Sequence, residues 1–334
     1  MPTPTPELIW STINAYQSTA ALKTAVELDL FTAIGEGDNT CAALARRTGA
    51  AERGIRILCD FLVIGRLLAK DDHHYSLTSE SAAFLDRRSP ASLADSIRFL
   101  NSPLLMECFG QLTAAVRQGG TAVNSEGTMA REHPIWIEFA RSMVPIIHPA
   151  AQAIARLVNA PAGGPRKILD IAAGHGMFGI TLARDNPQAE VVAVDWAPVL
   201  ALARENAQAA GLDGRYHTLP GSAFEVDFGS GYDLALLTNF FHHFDPPTCQ
   251  KLMTKVRRAL APSGRAVTLE FVPNDDRVTP PPAAGFSLIM LATTASGDAY
   301  TFQQYDTMFR ASGFSRNELH PIENYPGQLI LSSS

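Results

Sequence analysis

A glycine turn and a histidine pair carry the chemistry legible in this chain. Ile168-Leu-Asp-Ile-Ala-Ala-Gly-His-Gly-Met-Phe-Gly179 reads as a buried strand, a glycine turn and the start of a helix over Met177–Arg184. Glycines at such a turn let backbone approach a ligand, and the helix N-terminus offers free N–H groups. Asp170 lies four residues before Gly174, and Asp195 closes the next apolar run. An acidic residue about 20 positions after the turn suits ribose hydroxyls. His242-His243 follow the run Tyr232–Leu237, and Glu270 ends the run Arg265–Glu270, 28 residues after His242. Ligands bind at the carboxyl ends of strands in doubly wound sheets. A neutral imidazole there, with an ordinary pKa of about 6.5, can take a proton.

Gly174-His-Gly176-Met-Phe-Gly179 matches GxGxxG by the letter, so a nicotinamide dinucleotide competes for the turn, and a glycine turn needed only for packing is a third reading. Asp170 weighs against the dinucleotide. A carboxylate faces a pyrophosphate badly and suits a cationic ligand, such as a sulfonium cofactor with an amino-acid tail.

Four apolar runs, Lys167–Ile171, Glu190–Asp195, Tyr232–Leu237 and Arg265–Glu270, alternate with helical patterns at βαβ spacing. They predict a parallel sheet with helices on both faces. Phe314–Ile322 followed by Gln328–Leu331 resembles the antiparallel hairpin that closes the sheet of methyltransferases. Upstream, helical spacing from Leu8 to Phe31 leads to a helix over Cys41–Thr48, with Thr40 as cap and Gly49 as stop. A second helix spans Glu52–Arg66, and Leu67–Thr78 reads as a short hairpin. Helix, turn, helix, hairpin is the outline of a winged helix. Residues 101–160 read as a helical connector, broken at Gly119-Gly120 and interrupted by Pro145 and Pro149. The expected domains are 1–100, 101–160 and 161–334, and residues before Leu8 are expected to fray.

Composition narrows the classes. The chain has 334 residues, 46% hydrophobic and 18% charged, an ordinary globular balance. Its formal net charge is −6, and residues 1–100 carry 10 Lys and Arg against 12 Asp and Glu. A DNA reader needs a basic face, so the winged helix is expected to serve packing or dimerisation and no nucleic-acid partner is expected. No membrane span and no signal peptide are expected. Four scattered cysteines without CxxC predict no zinc site and a reducing, cytoplasmic setting. No metal site is expected at His242-His243, since adjacent residues rarely share one ion.

Asp170-Ile-Ala-Ala-Gly-His-Gly176, Val194-Asp195, Gly221-Ser-Ala-Phe224, Asn239-Phe-Phe-His-His-Phe-Asp245, Leu260-Ala-Pro-Ser-Gly-Arg265 and Glu270-Phe-Val-Pro273 together resemble the two-domain class I S-adenosylmethionine (SAM)-dependent O-methyltransferases. That group contains plant phenolic and bacterial carotenoid and polyketide enzymes. The resemblance covers nearly the whole chain. It implies an α/β fold, a Rossmann-like doubly wound SAM domain behind an N-terminal helical winged-helix dimerisation domain. It implies a homodimer and methyl transfer from SAM to a small aromatic or polyketide-like acceptor, at a hydroxyl oxygen.

The resemblance also assigns residues. Asp170, Ala172, Gly174 and Gly176 would line the methionine and ribose side of SAM. Asp195 would take the ribose hydroxyls and Trp196 would flank the adenine. Ser222, Ala223 and Phe224 occupy the adenine segment, with Ser222 where the family writes Asp. Thr238, often Lys in the plant enzymes, and Asn239 complete the cofactor side. His242 aligns with the catalytic base and Glu270 with the carboxylate that holds its ring. Phe139 and Met143 would line the acceptor pocket, with His243 a further candidate for it. Helical spacing, not the resemblance, adds Phe286, Met290 and Thr294, for which pocket lining and ordinary core packing are equal readings. Tyr16 and Gln17 would reach a partner's pocket. Adjacent side chains are expected to diverge, so only one of His242 and His243 would face the acceptor. The family's second acidic partner falls at Asp298-Ala299, with Ala299 in the aligned place. Two other readings stay open: a non-catalytic SAM- or ligand-binding homodimer with a regulatory role, and a C- or N-methyltransferase on the same fold.

Overall fold

The computed structural model describes residues 4–123 and 135–334. The chain divides into two compact units, Met1–Pro103 and Leu104–Ser334.

The first unit contains α1 (Glu7–Glu27), α2 (Leu30–Gly35), α3 (Cys41–Thr48), α4 (Glu52–Ile64), the hairpin β1 (Leu68–Asp71) and β2 (His74–Leu77), α5 (Ser79–Phe84) and α6 (Ala94–Leu100). Local chemistry sets these boundaries. The Thr40 hydroxyl accepts from Ala43 N at 3.3 Å, and Gly49 ends α3 in the left-handed conformation. A capping box between Thr78 and Ser81 starts α5. Leu44, Ile55, Cys59, Leu62 and Tyr75 close a small core. The amino-terminal half of α1 instead leaves Leu8, Ile9, Trp10, Ile13 and Tyr16 exposed.

The second unit begins with α7 (Pro103–Gly110), α8 (Leu112–Gln118) and α9 (Ile135–Leu157). Next come β3 (Lys167–Ile171), α10 (Met177–Asp185), β4 (Glu190–Asp195), α11 (Ala197–Ala209), β5 (Tyr216–Pro220) and β6 (Tyr232–Thr238). The chain finishes with α12 (Pro246–Ala259), β7 (Leu260–Glu270), α13 (Pro281–Thr293), α14 (Phe302–Ala311), β8 (Arg316–Pro321) and β9 (Gln328–Ser333). The sheet order is β5-β4-β3-β6-β7-β9-β8. The first five strands are parallel, and β9 runs antiparallel to both β7 and β8. Helices α9, α10 and α11 bury their apolar stripes on one face, and α12 and α14 cover the other. Strand order reverses at β3, whose neighbours are β4 and β6, so a crevice opens at their carboxyl ends.

Two expectations are corrected here. Pro145 and Pro149 do not interrupt the connector: α9 is continuous through both. Each proline removes one helical hydrogen bond, but Ile147, Ala150, Ala151, Ile154 and Ala155 are buried along one stripe of α9. That buried stripe holds the helix together across the gaps. Strand β5 carried no apolar run and was not expected. It lies at the sheet edge, where only one neighbour must be satisfied and a terminal proline is tolerated.

Candidate active site

The turn after β3 is held in an uncommon backbone conformation. Ala172, Gly174 and Gly176 all have positive φ, at 54°, 56° and 76°. For Ala172 this costs on the order of 1 kcal/mol, a strain typical of ligand-binding turns. Hydrogen bonds fix the path: Ala173 N donates to Val194 O at 3.1 Å, and Gly174 N to the Asp195 carboxylate at 2.9 Å. Gly176 is the N-cap of α10, and a Cβ there would fall 2.4 Å from the Tyr216 hydroxyl oxygen. His175 is structural. Its Nδ1 accepts from Met177 N at 3.0 Å, and burial lowers its pKa to about 4.

Charge in the crevice is negative. Asp170 is fully buried; its Oδ2 accepts from Gly179 N at 3.1 Å, while Oδ1 has no hydrogen-bond partner among the described residues. Burial pushes its pKa up to about 7 and that of Asp195 up to about 6. The Tyr216 hydroxyl is likewise buried without a partner, beneath Gly176. Two carboxylates that resist ionisation call for a cation, not for a pyrophosphate. The residues therefore fit SAM, whose ammonium and sulfonium bring positive charge, and they disfavour a dinucleotide.

Toward the β5 side, Asp195 Oδ1 accepts from Trp196 N at 2.7 Å, and the half-buried Trp196 is the N-cap of α11. The Ser222 hydroxyl accepts from Phe224 N at 3.3 Å. Ala223 is turned into the core, and its carbonyl accepts from Lys255 Nζ at 2.9 Å. Lys255 was missed from the sequence. It comes from the middle of α12, and its ammonium lies 4.2 Å over the Phe228 ring. Phe224, Phe240 and Phe244 form an aromatic cluster beside this loop.

The histidine pair leaves β6 through Asn239, whose φ is 54° and whose N–H donates to Leu269 O at 2.8 Å. Thr238, the last residue of β6, is buried. Phe241–His243 then form one 3-10 turn. Glu270, fully buried at the end of β7, organises this turn. Its Oε1 accepts from Phe240 N at 2.9 Å and Phe241 N at 2.7 Å, and its Oε2 meets His242 Nδ1 at 2.5 Å. A carboxylate there keeps the proton on Nδ1, so Nε2 carries the free lone pair.

The two imidazoles do not diverge as expected. The tight turn brings their ring centroids to 4.3 Å. Phe286 meets His242 edge-on at 4.8 Å and stacks on Phe271 at 4.0 Å. Trp136 packs edge-on to His243 at 5.3 Å and to Phe139 at 5.8 Å. Trp136 and Phe271 were not singled out from sequence, although Trp136, Phe139 and Met143 share one face of α9 by spacing. Met143 is half-buried against the core beneath α9, and Met290 is buried. Thr294 is fully buried, its hydroxyl donating to Met290 O and accepting from Gly297 N, in line with the core alternative. Ala299 is fully buried, and Asp298 pairs with Arg277.

Gly297 backs the histidine turn. A Cβ on it would lie 2.2 Å from His242 O and 3.0 Å from the His243 carbonyl carbon. Gly297→Ala is expected to displace the turn and lower kcat by about tenfold or more, because reactive geometry tolerates little misplacement. SAM affinity should change less than twofold. Equal kcat in the two proteins would show that the turn accommodates a methyl group.

A model of the O-methyltransferase domain matches residues 112–315, and one of the O-methyltransferase dimerisation domain matches residues 10–87. The chain belongs to the O-methyltransferase family. A crystal structure from Nostoc punctiforme, carrying a provisional O-methyltransferase name, superposes with a TM-score of 0.96 at 52% identity, covering 99% of this chain and 100% of that one. The 3-hydroxy-5-methyl-1-naphthoate 3-O-methyltransferase of Streptomyces sahachiroi is 28% identical over 93% of this chain and 90% of its own length. Human N-acetylserotonin methyltransferase, solved with SAM, shares the fold with a TM-score of 0.87 at 21% identity, covering 98% and 97% of the two chains. This O-methyltransferase thus uses SAM as methyl donor and a hydroxyl oxygen as acceptor. Among the described residues, no helix is long and apolar enough to cross a membrane.

Proposed function

We propose that this O-methyltransferase methylates a phenolic hydroxyl on a small aromatic or polyketide-like acceptor, with His242 as general base. The observation that carries the reading is the His242–Glu270 pair, 2.5 Å apart and bordered by Phe286, at the carboxyl ends of β6 and β7. Aromatic side chains around it (Phe139, Phe286, Phe271 and Trp136) suit a flat acceptor, and Met143 and Met290 add adaptable apolar surface. Relatives support the class: the Streptomyces sahachiroi enzyme is named for a hydroxynaphthoate and that of Streptomyces cremeus for 3-amino-4-hydroxybenzoate.

SAM supplies an electrophilic methyl carbon. Asp170 Oδ1 and the turn at Ala172, Gly174 and Gly176 would hold its methionine end, and Asp195 would accept from the ribose hydroxyls. Trp196, Ser222, Phe224 and the backbone of Ala223 would border the adenine, and Thr238 and Asn239 would complete the cofactor side. His242 Nε2 would take the phenolic proton as the oxygen bonds to the methyl carbon, and the electron pair of the broken carbon–sulfur bond would leave on sulfur, turning the sulfonium into a neutral thioether. The Nδ1–H of His242 stays on Glu270, which stabilises the imidazolium formed. With Ala299 in place of a second acid, Glu270 alone orients the base.

The partner is a second copy of this chain, joined through the first unit. The dimerisation-domain match and the exposed apolar row of α1 support this. Sedimentation equilibrium should return twice the 36.0 kDa chain mass, and a monomer at micromolar concentration would refute it. Tyr16 and Gln17, on α1, would reach the partner's pocket. Four free cysteines suit a cytoplasmic setting.

The test is transfer of labelled methyl from SAM to simple phenols and naphthols, with the product's methylated atom located by mass spectrometry. The expected product is an aryl methyl ether. SAM binding by calorimetry without transfer to any phenol would overturn the acceptor class.

A further inference from the structure

His243 is an unexplained group beside the base. Its Nδ1 is buried and has no hydrogen-bond partner among the described residues. Leaving such an atom unmatched is unfavourable, so a purely structural imidazole would be expected to find a donor or acceptor nearby. The surroundings of its ring are apolar or already engaged: the Trp136 edge at 5.3 Å, Phe244 at 6.2 Å, and His242, which is held by Glu270. Behind the turn, Gly297 presents only backbone. None of the described residues supplies the missing partner, and the ring of the proposed base, His242, lies 4.3 Å away.

We infer that His243 recognises a second hydroxyl on the acceptor, on the ring carbon next to the one whose oxygen is methylated. This rests on the reading of His242 as base toward a phenol. Two imidazoles 4.3 Å apart and tilted by 58° on one turn present two ring nitrogens to two neighbouring oxygens. A hydroxyl both donates and accepts, so it satisfies Nδ1 in either tautomer. Burial and the neighbouring His242 hold the His243 pKa well below the ordinary imidazole range, so the ring stays neutral while its neighbour cycles its proton. The preferred acceptor is therefore a vicinal diol of catechol type, and the first product is its monomethyl ether.

The test compares 2,3-dihydroxynaphthalene with 2-naphthol by kcat/KM. Wild-type protein should favour the diol by about tenfold or more beyond the statistical factor of two, the size of one buried hydrogen bond. His243→Phe should reduce that ratio to about two, and His243→Asn, whose amide sits near the imidazole Nδ1 position, should restore part of it. A structural role alone would lower both rates together and leave the ratio unchanged. Methylation of both compounds at a ratio near two by the wild type overturns the His243 assignment and leaves the phenol reading standing. So does an unchanged ratio in His243→Phe or, should that variant not fold, in His243→Asn. No transfer to either compound, with SAM bound, removes the phenol reading and this inference with it.

Discussion

Glu270→Gln is expected to lower kcat by two to four orders of magnitude and to leave SAM affinity within about twofold of the wild type. The fold should survive, because a glutamine carbonyl oxygen can still accept from Phe240 N and Phe241 N, the two bonds that shape the turn. What changes is the third contact. The amide NH2 then faces His242 Nδ1 where a carboxylate stood at 2.5 Å. Nδ1 becomes an acceptor, the proton moves to Nε2, and the nitrogen that should take the phenolic proton already carries one. The imidazolium formed on turnover also loses its counter-charge. Loss of a positioned general base costs typically 10²–10⁴-fold. His242→Ala should fall in the same range, and the double variant should be little worse than either single one, since the two residues act as a unit. Single-turnover rates with SAM prebound provide the check. A Glu270→Gln protein within threefold of wild type across pH 6–9 would remove both residues from the mechanism.

Asp170→Asn is expected to make the ligand-free protein more stable and the protein nearly unable to hold SAM. Burial raises the Asp170 pKa to about 7, above its value in the unfolded chain. The folded state therefore keeps a proton that the unfolded chain releases, so this group's contribution to stability falls as pH rises from about 4 to about 7 and is flat above. The penalty at pH 8 is on the order of a few kcal/mol. A neutral isostere avoids it and can keep the bond to Gly179 N, which should raise the ligand-free Tm by a few degrees at pH 8 and by less at pH 5.

Binding should move the other way. Removing the carboxylate that faces a buried cation costs about two orders of magnitude in affinity. In the wild type, affinity for SAM should rise with pH between about 5.5 and 7.5 as Asp195 and Asp170 ionise. Binding near pH 6.5 should release protons, visible in calorimetry as a heat that depends on the buffer. Asp170→Asn should lose most of that release. Wild-type affinity in the variant would place the methionine end of SAM elsewhere.

Where interactions are local, the sequence already spelled the outcome. Strands Lys167–Ile171 and Glu190–Asp195 and helix Cys41–Thr48 fall on the expected residues. A buried parallel strand must be apolar throughout, and a cap is decided by side chains within three residues of it. The glycine turn was equally legible, since left-handed backbone at Gly174 and Gly176 demands that residue type. Glu270 was legible because it ends a strand, whereas His242, four residues past the end of β6, was found through the family resemblance.

Tertiary structure decided what lies between those ends. Whether the two histidines converge depends on a 3-10 turn that Glu270 holds through Phe240 N and Phe241 N from 29 and 30 residues away. Continuity of α9 across Pro145 and Pro149 depends on burial against α10 and α11. Lys255, Trp136, Phe271 and Gly297 each meet the site from an element whose own pattern is that of an ordinary helix, strand end or loop. The order of residues along the chain carried the fold class, the glycine turn and the two members of the His242–Glu270 pair. The packing of distant segments fixed which atoms remain unpaired beside them, because a hydrogen-bond vacancy exists only once every neighbour is in place.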